Sequence, residues 1–213
     1  MATPLRGLLV DYGGVLTNPL EDAVGAWLRA DGIDPDHFTE LMRRWLSTDA
    51  ERNAVHDLET GRIGAADFER QLAAEFARAG DRHAAEAAGM LTRMFAGFRP
   101  EPDMIQVVRT ARAAGVRTGL LSNSWGLDYP REGWDELFDV VVISGEVGLR
   151  KPDQAIYALA AERLGLRPGE VVFVDDLAPN VRGAATAGMV GVQHTDVDAT
   201  VAELELLLGL RLR

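Results

Sequence analysis

Residues 171–193 read VVFVDDLAPNVRGAATAGMVGVQ. An apolar, β-branched run, Val171–Asp175, ends in two adjacent acids. A helical pattern over Ala178–Ala187 follows, and a second apolar run, Val190–Gln193, closes the stretch. Continuous apolar strands joined by a helix are the repeating unit of a parallel sheet covered on both faces. Three more runs of this kind stand at Gly7–Asp11 (GLLVD), Val116–Ser122 (VRTGLLS) and Asp139–Ser144 (DVVVIS). A helical pattern over Pro102–Ala114 precedes the Val116 run, another over Gln154–Leu164 lies between the Asp139 and Val171 runs, and Val197–Leu208 reads as a final amphipathic helix. Alternating strand and helix predicts an α/β fold with a doubly wound parallel sheet.

Outside this rhythm lies the stretch from Asn18 to about Phe98, which holds no convincing strand. Its patterns are helical: Asp22–Ala30, His37–Leu46, Ala65–Ala79 and Ala84–Phe95. Asp34-Pro35, Ser47-Thr48-Asp49 and Gly64 suit helix starts. The expectation is an all-helical insertion, residues 18–97, in a core formed by residues 1–17 and 98–213. Arg99-Pro100-Glu101-Pro102 reads as the re-entry hinge, because the prolines hold an extended chain.

The length fits this reading. At about 150 residues per domain, 213 residues suggest one domain with a sizeable insertion. There is no cysteine, which excludes a disulfide framework, a thiolate zinc site and a cysteine nucleophile. The 22 basic and 33 acidic residues give a net charge of −11. With no Lys/Arg block, this argues against a general nucleic-acid surface. No apolar run nears the roughly 20 residues of a membrane span, and Met1–Arg6 carries no signal-peptide core. A cytoplasmic protein without membrane partners is expected, as a monomer or homodimer.

Ligands of open parallel sheets bind at the carboxyl ends of the strands. Asp11 ends the first strand, Ser122-Asn123 the second, and Asp175-Asp176 the fourth. Lys151 follows the third. A carboxylate can be a nucleophile towards phosphorus. Neighbouring carboxylates repel unless a hard cation such as Mg²⁺ lies among them. A hydroxyl and an ammonium can hold phosphate oxygens. Gly13 and Gly14 let the backbone turn and approach a ligand closely.

The ordered set DYGGVLT (11–17), LLSNS (120–124), GLRKPDQAIY (148–157) and VFVDDLAPNVRGAATAGM (172–189) resembles the four motifs of the haloacid dehalogenase superfamily. The likeness extends to the group containing the N-terminal phosphatase domain of soluble epoxide hydrolase. SNSW (122–125), SGEVGLRKPDQAIY (144–157) and HDLETGRIGAADFE (56–69) carry that closer match. The resemblance implies a Rossmann-like core, a helical cap, and a Mg²⁺-dependent phosphatase for a small phosphorylated metabolite. It implies Asp11 as nucleophile and metal ligand, and the Gly13 carbonyl as a second ligand. Asp176 and Asp175 would be acidic ligands, their order left open. Ser122, Asn123, Lys151 and Gly14 would bind phosphate, with Asn180 orienting the acidic loop. Trp125 and His56 are candidates for the substrate pocket.

One departure stands out. Phosphatases of this superfamily usually carry a second Asp two positions after the nucleophile, as general acid and base; here that position is Gly13. General acid–base help is typically worth about 10²–10⁴-fold. His56, Ser124 and Thr17 are candidate substitutes. The alternatives are a substrate with a good leaving group, or a protein that binds phosphoryl ligands or a partner without turnover. Dehalogenation of a 2-haloacid ranks below these, because dehalogenases of the superfamily lack the paired acids that Asp175-Asp176 supply. Blander readings also exist: Asp11 and Ser122-Asn123-Ser124 as turn formers, Asp175-Asp176 as a helix cap, Lys151 as solvated surface.

Overall fold

A computed structural model describes residues 4–46, 53–79, 86–126 and 128–213. Its strands are β1 (Gly7–Val10), β2 (Arg117–Ser122), β3 (Val140–Ile143), β4 (Val171–Asp175) and β5 (Val190–Gln193). They form one sheet in the order β3-β2-β1-β4-β5, and every pairing is parallel. The chain winds outward from β1 to β3, returns, and winds outward again through β4. β1 and β4 therefore flank the point where the winding direction reverses. In such sheets a crevice opens there, beyond the carboxyl ends of the strands.

Strand residues alternate between two apolar layers, as a pleated strand requires. Leu8, Val10, Leu120, Val172 and Val174 pack on one face, with α6 (Pro102–Ala113), α7 (Trp134–Leu137) and α11 (Val197–Leu208). Leu9, Leu121, Val171 and Phe173 pack on the other, with α9 (Gln154–Leu164) and α10 (Ala178–Thr186). Both faces are covered, which is why these strands read as unbroken apolar runs.

Between β1 and α6 the described residues form five helices: α1 (Leu20–Asp31), α2 (Pro35–Trp45), α3 (Ala54–Glu59), α4 (Ala65–Ala79) and α5 (Met90–Phe95). They share an apolar cluster that includes Trp27, Leu41, Leu58, Phe68, Phe76 and Met94. Asp34 caps α2 by accepting from the Asp36 N–H at 2.8 Å, with Pro35 in the first turn. The two chain passages into this segment run side by side. Thr17 bridges Pro100 in antiparallel fashion, Asn18 N–H donates to the Arg99 carbonyl at 3.0 Å, and Glu101 N–H donates to that of Leu16 at 2.8 Å.

Several expectations need correction. β3 stops at Ile143, and Ser144 opens a helix, α8 (Ser144–Val147). The Ser144 hydroxyl explains the change: it accepts from Ser124 N–H at 2.7 Å and donates to the Glu59 carbonyl. The helix expected from Ala84 begins at Met90, after turns at residues 86–89; residues 80–85 lie outside the described residues. So does the proposed cap Ser47-Thr48-Asp49. The next helix, α3, is capped by Asn53, whose side chain accepts from His56 N–H at 3.1 Å. Among the described residues no helix is long and apolar enough to cross a membrane.

Candidate active site

Asp11 directly follows β1, and its N–H donates to the Val174 carbonyl of β4 at 2.9 Å. This pairing sets Asp11 beside Asp175, the last residue of β4. Lys151 reaches between them. Its Nζ lies 2.9 Å from Asp11 Oδ1 and 2.6 Å from Asp175 Oδ2. Lys151 is fully buried, so the solvated-surface reading is excluded.

Asp175 is also fully buried, and donors from the protein surround it. Oδ1 accepts from Leu177 N–H at 2.8 Å, and Asn180 Nδ2 lies 3.1 Å from both carboxylate oxygens. Asn180 is itself held, because the Tyr157 hydroxyl donates to its carbonyl at 2.7 Å. Asp176 faces the crevice instead. Asp11, Asp175 and Asp176 offer carboxylate oxygens that all lie within 4.8 Å of one another.

Burial and mutual repulsion act on these acids. Asp11 is pushed up to about 7, first by burial and then by the charges of Asp175 and Asp176, with Lys151 opposing. Asp176 is pushed up to about 6, again by burial and then by Asp175. For Lys151, burial disfavours the charge, but Asp11 and Asp175 outweigh it and raise the ammonium above its ordinary value. Three carboxylates around one ammonium leave excess negative charge in a desolvated place. An all-oxygen donor set of this kind suits a hard divalent cation, so the residues present fit a metal.

Asn123 and Lys151 exchange two hydrogen bonds. Lys151 N–H donates to Asn123 Oδ1 at 2.9 Å, and Asn123 Nδ2 donates to the Lys151 carbonyl at 3.1 Å. Asn123 lines the crevice, yet its amide is largely occupied in fixing the lysine loop. Ser122 Oγ lies 3.0 Å from the Tyr129 hydroxyl, which also donates to the Asn123 carbonyl at 3.3 Å. Nothing in the local sequence marks Tyr129 as a site residue.

Gly14 does not line the crevice. Its N–H donates to Thr17 Oγ1 at 3.1 Å, and its φ of +71° belongs to glycine. A Cβ there would lie 2.5 Å from Asp176 Oδ2. Gly14 thus makes room for Asp176, and its amide is already occupied within the loop. Gly13 is different. It lines the crevice, and a Cβ at this position would meet only Phe98 Cζ, at 3.9 Å. A side chain fits where the second acid of related phosphatases would stand.

The crevice encloses about 570 Å³. Its floor holds Asp11, Ser122, Lys151 and Asp176; its wall holds Leu20, Phe95, Phe98, Trp125, Pro130 and Leu177. Of the candidate pocket residues, Trp125 lines it, stacked edge-on against Phe68 and Phe95. His56 does not; its Nε2 is buried without a hydrogen-bond partner, and burial followed by the Arg150 charge lowers its pKa. Thr17 is also outside, its hydroxyl donating to the Asn18 carbonyl. Ser124 Oγ accepts from Gly126 N–H at 3.1 Å and lines a separate depression. Sequence reasoning missed Glu59, which does line the crevice. It pairs with Arg150 at 2.6 Å across 91 residues of chain, and burial raises its pKa despite that partner.

A family model for haloacid dehalogenase-like hydrolases matches residues 5–188. The sesquiterpene phosphatase astK of Aspergillus oryzae is 30% identical over 98% of this chain and all of its own length. A glyceraldehyde 3-phosphate phosphatase of Methanopyrus kandleri is 33% identical over 83% of this chain and 73% of its own. Bifunctional epoxide hydrolase 2 of Sus scrofa is 34% identical over 51% of this chain, a stretch that is 21% of that protein. A crystal structure of a haloacid dehalogenase family enzyme from Bacteroides thetaiotaomicron, with magnesium and inorganic phosphate, superposes with a TM-score of 0.64. It is 20% identical, over 89% of this chain and 93% of its own, and speaks for the fold alone. Sheet order, strand-end acids and sequence likeness agree, and the chain belongs to the haloacid dehalogenase-like hydrolases.

Proposed function

We propose that this protein hydrolyses a small-molecule phosphate monoester through an aspartyl-phosphate on Asp11. The observation that carries the reading is Lys151, buried between Asp11 and Asp175 on the floor of the crevice. An ammonium at that point steadies Asp11 as an anion and attracts a phosphoryl group to it. Mg²⁺, held by Asp11, Asp176 and the Gly13 carbonyl, would neutralise phosphate charge. Asp175, enclosed by Lys151, Asn180 and Leu177, then holds the lysine in place and supports the metal through its surroundings.

In the first step an Asp11 oxygen attacks phosphorus, the ester P–O bond breaks, and the leaving oxygen departs as an anion that takes up a proton from solvent water. In the second, water attacks the aspartyl-phosphate, releasing inorganic phosphate and restoring Asp11. Ser122 and Lys151 hold the phosphoryl oxygens. The five-helix segment, residues 18–97, acts as a cap that excludes water and shapes the substrate space. Gly13 supplies no acid, so the protein favours leaving groups that depart with little protonation.

Phosphate release from a panel of monoesters with Mg²⁺ tests the reading. Asp11→Asn is expected to lower turnover by at least about 10³-fold. Equal release by wild type and variant removes the catalytic assignment. A second reading, phosphoryl-ligand binding without turnover, is favoured by Gly13 alone. It predicts stabilisation by Mg²⁺ with beryllofluoride and no release from any ester.

A further inference from the structure

We infer that the crevice takes a monophosphate whose organic body is uncharged and apolar, a refinement that rests on the phosphomonoesterase reading above. Two observations carry it. The wall above the phosphate end is made by Leu20, Phe95, Phe98, Trp125, Pro130 and Leu177. Leu177, half exposed at the rim, extends this apolar surface. Phe95 and Phe98 stack at 5.0 Å between ring centroids, and Trp125 meets Phe95 at 5.8 Å, giving a continuous aromatic surface.

The second observation is charge. Among the described residues Lys151 is the only cationic side chain lining the crevice, and Asp11 and Asp175 already hold it. Asp176, Glu59 and Asp128 also line the space. A second phosphate or carboxylate on the ligand would meet acids and no free cation. Against the ring-lined part of the wall a desolvated hydroxyl finds no partner. An apolar chain loses nothing there and gains by leaving water. The volume of about 570 Å³ falls within the roughly 300–1,000 Å³ of small-molecule sites.

The test is a homologous series of n-alkyl phosphonates, methyl to octyl, titrated calorimetrically in Mg²⁺ buffer. The C–P bond resists hydrolysis, so binding is read apart from turnover. Affinity is expected to rise about fourfold per added methylene until the space is filled. A flat series overturns the inference. So does tighter binding of a glycosyl phosphonate or an alkyl bisphosphonate than of an alkyl phosphonate of equal size. Phe98→Ser should weaken the octyl ligand more than the methyl one; equal weakening of both also overturns it. Turnover of 4-alkylphenyl phosphates, whose phenolate departs with little protonation, by wild type and Asp11→Asn keeps the two claims separate. A rising phosphonate series without Asp11-dependent release supports the pocket chemistry and removes the hydrolase reading. A flat series with Asp11-dependent release does the reverse.

Discussion

The floor and the wall of the crevice are built by opposite rules. The floor is polar, and most of its groups are held by named partners: Lys151 by two carboxylates, Asp175 by Asn180 and Leu177, Asn123 by the Lys151 backbone, while Asp176 stays open to the crevice. These groups stand at strand ends or in the loops that follow them, at the carboxyl edge of the sheet. The wall is apolar and comes mainly from segments beyond the sheet: α1, α5 and the loops around Phe98 and Trp125. A floor of this kind fixes geometry, because a buried charge that loses its partner is strongly penalised. A wall of this kind selects by shape and hydrophobicity, and tolerates change. Chemistry and specificity are thus separated in the chain.

Four experiments would break or sharpen that contrast. The largest effect is expected from Gly13→Asp, which fits the space beside Phe98. Turnover of alkyl esters should rise by about 10²–10⁴-fold if the missing acid limits the rate. No gain, with turnover already present, would mean that another protic group on the crevice surface performs the role. Next is Lys151→Met. It leaves Asp11 and Asp175 facing each other unpaired, and urea unfolding should show a loss of about 3–5 kcal/mol. A loss below about 1 kcal/mol would mean the floor is far more solvated than its burial implies.

Glu59→Gln probes the contact between α3 and the loop that carries Arg150 and Lys151. It weakens a charge-assisted bond to Arg150, and about 1.5–3 kcal/mol should be lost in the same measurement. An unchanged midpoint would show that this pairing does not anchor α3. The smallest effect concerns metal and pH. Asp11 and Asp176 are raised to about 7 and about 6 in the fold, above the ordinary 3.8. The folded protein therefore binds protons more tightly than the unfolded chain, and without metal it loses stability as pH rises from about 4 to 7. Mg²⁺ should offset that loss where the acids are ionised. Its Tm increment should be larger at pH 8 than at pH 5.5, by about 2–4 °C per kcal/mol of extra metal binding. An equal or larger increment at pH 5.5 would contradict a carboxylate-bound metal.

Much of the floor was legible because strand ends are legible. An apolar run that stops at Asp11, Ser122 or Asp175 announces both a buried strand and the polar group at its tip. The helices that went unforeseen were α7 and α8, each four residues long, too short to show a 3.6-residue period. The start of α5 was misjudged because Ala84–Phe95 continues an amphipathic pattern through the turns at residues 86–89. His56 looked suitable as a pocket acid by residue type, but α3 directs it to the side occupied by Arg150 and Asp153.

By itself, the sequence determined the alternation of strand and helix and the identity of the charged groups. Those depend on local periodicity and on residue type, which are properties of short stretches. Only the tertiary structure decided that Asp175 is enclosed while its neighbour Asp176 faces the crevice. It also decided that Gly14 yields space to Asp176 while Gly13 leaves space open, and that Glu59 finds Arg150. These outcomes depend on which groups compete for the same desolvated volume. That competition is between residues brought together from distant parts of the chain.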